Sequence, residues 1–77
     1  MKELLEYIAK ALVDQPDGVS VEETESADGG ILLTLRVAQG DMGRVIGKQG
    51  KIAKAIRTVV KSSASFQNQR VTVDIAE

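Results

Sequence analysis

Apolar residues recur at helical spacing in two stretches of the chain and alternate with polar ones in three. From Lys2 to Val13, Leu4 or Leu5, Ile8 and Leu12 share one face, with Glu3, Glu6 and Lys10 elsewhere. That pattern predicts an amphipathic helix. Glu6 and Lys10 add an i, i+4 pair in the favourable order, worth about 0.3 kcal/mol. Pro16-Asp17-Gly18 ends the helix and turns the chain. Val19 and Val21 then alternate with Ser20 and Glu22, predicting a first strand that runs into Glu23-Thr24-Glu25. Asp28-Gly29-Gly30 marks a hairpin turn. Beyond it Ile31, Leu33, Leu35 and Val37 alternate with Leu32, Thr34, Arg36 and Ala38. One face is wholly apolar and the other half so, as in a central strand covered by helices on one side.

Gln39-Gly40 breaks this strand. Met42 to Ile46 reads as a short helix that Asp41 can cap by accepting a bond from a free first-turn N–H. Gly47 closes it and Gly50 opens the next helix, where Ile52, Ile56 and Val59 recur at i, i+4 and i+7. This second helix is expected to end near Lys61. Ser62 to Gln69 reads as a polar loop whose one aromatic, Phe66, packs inward or closes the loop. Val71, Val73 and Ile75 alternate with Thr72 and Asp74 and give the last strand. The order is α–β–β–α–α–β. A helix pair between the central and final strands permits a right-handed parallel crossover. The expected fold class is therefore α+β, a three-stranded mixed sheet with three helices packed on one face.

Composition narrows this further. Seventy-seven residues make one domain, and 43% apolar content without cysteine demands a hydrophobic core unaided by disulfides or thiolate-bound metal. No apolar run approaches the roughly twenty residues needed to span a bilayer, so a cytoplasmic protein without membrane insertion is expected. The net charge of −1 conceals a polarity. Residues 1–35 carry two cations against eight carboxylates, and residues 36–61 carry seven cations against Asp41 alone. Positive charge is concentrated around the glycine turn, which can draw a polyanion to one face.

The turn Gly47-Lys48-Gln49-Gly50 is where chemistry is expected. Glycine takes positive φ and lets another chain approach its backbone. The free N–H groups opening the second helix carry partial positive charge that suits phosphate, with Lys48 and Lys51 beside them. Read alone, the two glycines are more simply a C-cap and a turn residue with no ligand. Catalysis has no support. Histidine and cysteine are absent, Ser62, Ser63 and Ser65 have no base partner, and the GxxxxGK[ST] spacing of a Walker A loop is missing. Glu22, Glu23 and Glu25 read as a solvated edge strand, since no histidine or further carboxylate completes a metal ligand set. No cofactor is implied.

Val45-Ile46-Gly47-Lys48-Gln49-Gly50 followed by a basic helix resembles the signature of the KH domain, an RNA-binding module. The element order is similar to the type II, prokaryotic arrangement, and the resemblance covers residues 1–77 as a single domain. The wording from Gly47 to Arg57 is similar to the small stand-alone bacterial KH proteins of the KhpA family. Many KH domains place a large aliphatic where this chain has Ala53, and Ile52 and Ile56 on either side imply a slightly rotated helix face. The resemblance implies that the GxxG backbone clamps about four nucleotides of single-stranded RNA. Gly47 and Gly50 allow the approach, Lys48 and Gln49 face phosphates, and Arg44, Lys51, Lys54 and Arg57 flank them. Ile46 and Ile52 help to form the groove floor, opposite the Arg70–Ile75 strand edge.

The resemblance further implies an RNA chaperone or post-transcriptional regulator linked to cell-wall synthesis and cell shape. It implies a homodimer, and pairing with a multidomain KhpB (Jag)-type KH protein. The alternative is an interaction subunit with little RNA affinity of its own. Val59 and Val60 could extend an apolar surface to a partner, and burial of Val60 would remove that surface.

Overall fold

A computed structural model describes residues 1–76. Three helices, α1 (Lys2–Leu12), α2 (Met42–Ile46) and α3 (Lys51–Phe66), pack against strands β1 (Ser20–Glu25), β2 (Ile31–Arg36) and β3 (Val71–Ala76). The sheet order is β1-β2-β3, with β2 central. β1 pairs with β2 antiparallel and β3 pairs with β2 parallel. This is the α+β mixed sheet expected from the alternation patterns.

Register explains the core. Val21 lies opposite Leu35, and Leu33 and Leu35 lie beside Val73 and Ile75, so the apolar face runs across β2 and β3 and takes in β1 at Val21 alone. Leu33 and Leu35 are fully buried beneath Leu5 and Ala9 of α1, Val45 of α2, and Ile56, Val60 and Ala64 of α3. Glu22 falls on the opposite face from Glu23 and Glu25, because successive strand residues alternate sides. All three are exposed and do not converge.

The hairpin forms where expected. Gly29 has φ 85°, and the Asp28 carboxylate accepts from the Gly30 N–H at 3.0 Å and from the Ser26 hydroxyl. Those contacts, the Ser26 hydroxyl above all, hold its pKa below the usual carboxylate value.

Four expectations are corrected. First, α3 does not end near Lys61 but runs to Phe66, so Ser62–Ser65 are helical. Ala64 continues the buried stripe one turn further. The helix stops where Asn68 takes φ 55°. There the Gln69 N–H reaches the Ala64 carbonyl at 2.9 Å and the Asn68 N–H reaches Ser65 at 3.1 Å, a Schellman motif. Second, Phe66 neither packs inward nor closes a loop. It is 92% exposed at the end of this helix.

Third, the core stripe of α3 is Ala53, Ile56, Val60 and Ala64, which keeps the expected Ile56 but takes the next residue in place of Ile52 and Val59. Val60 is therefore fully buried, so the partner surface expected from Val59 and Val60 together fails, and Val59 alone is left 47% exposed. Fourth, Asp41 does not cap α2 with its side chain. Its buried carboxylate instead accepts the N–H groups of Gln15 at 3.0 Å and Asp14 at 3.2 Å, just past the end of α1.

Candidate nucleic-acid interface

The glycine turn is built by backbone conformation. Gly47 has φ 74° and ψ 177°, and its N–H closes α2 on the Gly43 carbonyl. Any Cβ here would lie 2.5 Å from Ile52 Cγ1, so glycine is required by packing as well as by φ. Gly50, at φ 75°, precedes the first turn of α3, and a Cβ there would meet open space. Between them Gln49 also takes left-handed backbone, φ 59°, which disfavours side chains by about 1–2 kcal/mol. The Gly50 N–H bonds to the Gly47 carbonyl and the Lys51 N–H to that of Lys48. The Lys48 and Gln49 N–H groups reach no backbone acceptor and are free to donate outward. With the N–H groups of α3 that follow Lys51, they are donors of the kind an anion accepts from.

The cations surrounding the turn do not all serve it. Lys48, Lys51 and Lys54 are exposed at or just beyond the turn. Arg44 is committed elsewhere: it bridges Asp14 at 2.8 Å and Asp41 at 3.6 Å. It therefore secures α2 against the end of α1 through the same carboxylate that holds the Asp14 and Gln15 amides. Arg57 is half-buried, and its Nε donates to the Val73 carbonyl at 3.1 Å.

That last bond identifies the free edge of the sheet. The Arg70 carbonyl points towards β2, where it accepts the Ile31 N–H. Backbone groups of one strand residue point the same way and alternate along the strand, so those of Val71, Val73 and Ile75 face outward. A groove thus runs between α3 and this edge, with the guanidinium of Arg57 across it. Lys54, Arg57 and Lys61 follow the i, i+3, i+7 spacing that places them on this flank of α3. Lys61 lies one turn beyond Arg57, and its place became visible only once α3 was seen to continue past it.

The two isoleucines of the expected floor separate. Ile46 is 37% exposed at the end of α2, beside the turn. Ile52 packs beneath Gly47 and lines a different cleft, between α1 and α3. This cleft, of about 420 Å³, is lined chiefly by Ile8, Leu12, Ile52, Ala55, Ile56 and Val59, with Lys51 at its rim. It lies on the flank of α3 away from β3.

A helix–Gly-Lys-Gln-Gly–helix turn set between strands of a mixed sheet now meets its family. The family model described as the KH domain of KhpA and KhpB matches residues 2–75. The chain belongs to this KhpA/KhpB KH-domain family. It is 60% identical over 75 residues to RNA-binding protein KhpA of Clostridium acetobutylicum, covering 97% of this chain and 99% of the relative. RNA-binding protein KhpA of Chlamydia trachomatis is 47% identical over 77 residues, covering 100% of this chain and 97% of the relative. Among solved structures, Era of Aquifex aeolicus bound to GDP and aluminium fluoride superposes with a TM-score of 0.66 at 18% identity. It shares the fold. The match covers 96% of this chain and 28% of Era, so this chain spans just over a quarter of that protein.

The KhpA/KhpB KH domain described here shows no helix long and apolar enough to cross a membrane among the described residues.

Proposed function

We propose that this chain is a non-catalytic protein that binds single-stranded RNA. About four nucleotides lie between the Gly47–Gly50 turn, the Lys54–Arg57 turn of α3 and the free edge of β3. The observation that carries the reading is the turn itself. Positive φ at Gly47, Gln49 and Gly50 leaves the Lys48 and Gln49 amides without backbone acceptors, and Lys48, Lys51 and Lys54 stand around them. The naming of the KhpA relatives as RNA-binding proteins supports it. Phosphates are held at the turn, while base edges meet the outward backbone groups of β3 and the remaining N–H groups of Arg57. With one tyrosine and one phenylalanine, the chain has no aromatic platform for stacking successive bases. Modest sequence preference follows, which suits an RNA chaperone or post-transcriptional regulator in the cytoplasm. The family resemblance is what supports the link to cell-wall synthesis and cell shape. Anisotropy titrations of labelled single-stranded RNA test the reading: log K falls against log salt with a slope near −3 for about four phosphate contacts. A flat response counts against it.

The apolar cleft between α1 and α3 favours a second, compatible reading, a homodimer. Val59 projects beside the cleft, so a two-fold axis would seat the Val59 of each copy against the other's Ile8 and Ile52. The KH domain of a KhpB (Jag)-type protein belongs to the same matched family, which supports a heteromer of similar geometry. The cleft and the groove occupy opposite flanks of α3, so pairing leaves the groove open. Light scattering reads the mass: a dimer is expected for the wild type and a monomer for Val59→Asp. A monomeric wild type rejects the pairing.

A further inference from the structure

Past Arg57 the groove does not end at the sheet. One turn further along α3 lies a pocket of about 350 Å³, bounded by Lys61 and Ser65 of α3, Gln69 and Arg70 of the connection, Thr72 of β3, and Asp28 of the hairpin. Lys61 follows Arg57 by four residues, about 6 Å further along the helix axis on the same flank. Ser65 follows Lys61 by another four. The pocket therefore continues the groove in a straight line away from the glycine turn.

Its charges are unequally committed. Arg70 lies 3.6 Å from the Asp28 carboxylate and also donates to the Asp28 carbonyl at 3.3 Å. Asp28 in turn accepts from the Gly30 N–H and the Ser26 hydroxyl. Arg70 thus largely cancels the one carboxylate that would repel an anion. Lys61 has no carboxylate partner among the described residues, so the pocket keeps one uncompensated positive charge. Around it stand the hydroxyl of Ser65 and the carboxamide of Gln69, donors and acceptors suited to sugar and base edges. One net cation beside neutral polar groups fits one phosphodiester with its nucleoside.

We propose that the Lys61–Arg70 pocket binds a further nucleotide of the same RNA strand, beyond those held by the glycine turn. Its phosphate rests on Lys61, and its sugar and base lie against Ser65 and Gln69. This assignment rests on the RNA reading above. It makes the footprint longer than the turn alone requires, and α3 the rail along which the strand is laid.

The test compares a labelled tetranucleotide with an octanucleotide of the same base composition, by anisotropy. Lys61→Ala, at an exposed position, is expected to retain the native circular dichroism spectrum. It should weaken the octanucleotide about fivefold, leave the tetranucleotide unchanged, and reduce the octanucleotide salt slope by about 0.7. Lys61→Arg should keep the wild-type slope. An octanucleotide unaffected by Lys61→Ala overturns the pocket, as does an equal loss for both lengths. In either case the tetranucleotide still reports on the glycine turn separately. Wild type that binds neither length overturns both readings together.

Discussion

The side chain of Ile52 fills the space that a Cβ on Gly47 would occupy, with Cγ1 only 2.5 Å from that position. The glycine turn is thus locked from beneath by the first residue but one of the helix that follows it. Gly47→Ala combines this clash with the cost of left-handed backbone and is expected to destabilise the domain by about 2–4 kcal/mol. Gly50→Ala meets open space and loses only the conformational part, about 1–2 kcal/mol. Urea denaturation of the two variants checks the order. Equal losses would show that Ile52 yields freely.

Asp41 governs a junction rather than a helix cap. Asp41→Ala leaves the Asp14 and Gln15 amides without their acceptor and frees Arg44 from one partner. A loss of about 2–3 kcal/mol is expected. Asp41→Asn keeps one acceptor oxygen and should lose about half as much. Thermal unfolding of both variants reads the difference, and a neutral Asp41→Ala would refute this role.

Neighbouring valines on α3 should behave oppositely. Val60→Ala opens a cavity in the core and is expected to cost about 2 kcal/mol. Val59→Asp, at a half-exposed site, should change stability by no more than about 0.5 kcal/mol. Its effect belongs to self-association. Chemical denaturation paired with light scattering separates the two.

Asp28 offers a pH test with a definite sign. The Ser26 hydroxyl, the Gly30 N–H and Arg70 all favour its charged form and lower its folded pKa. Its contribution to stability is present above the unfolded carboxylate pKa and is lost as pH falls through the lower folded value. In a side-chain NMR titration, Ser26→Ala should move the Asp28 midpoint upward, towards that of an ordinary aspartate. An unmoved midpoint would assign the shift to the backbone and Arg70 instead.

Much of this was legible because periodicity reports burial. The alternation of Ile31, Leu33 and Leu35 placed the central strand, and two glycines three apart placed the turn. The α3 stripe was misread because the helix has two apolar flanks. Ile52 and Val59 are as hydrophobic as the core residues, and only packing shows that small Ala53 and Ala64 face inward. Serine weakly disfavours helix interiors, so Ser62–Ser65 read as loop. Asn68 carried the missed stop signal, since asparagine tolerates the left-handed C-terminal position. The roles of Arg44, Arg57 and Asp41 depend on Asp14, Val73 and Gln15, partners between 16 and 30 residues away. Local pattern holds no trace of such pairs.

The glycine turn as the RNA site is tested most directly by Lys48→Asp/Gln49→Asp. Both side chains are exposed, so the variant is expected to fold like the wild type, as circular dichroism and urea denaturation can verify. Titration with short single-stranded RNA should show wild-type binding and its loss in the variant, because two carboxylates then face the phosphates. Undiminished affinity in the folded variant would contradict the account.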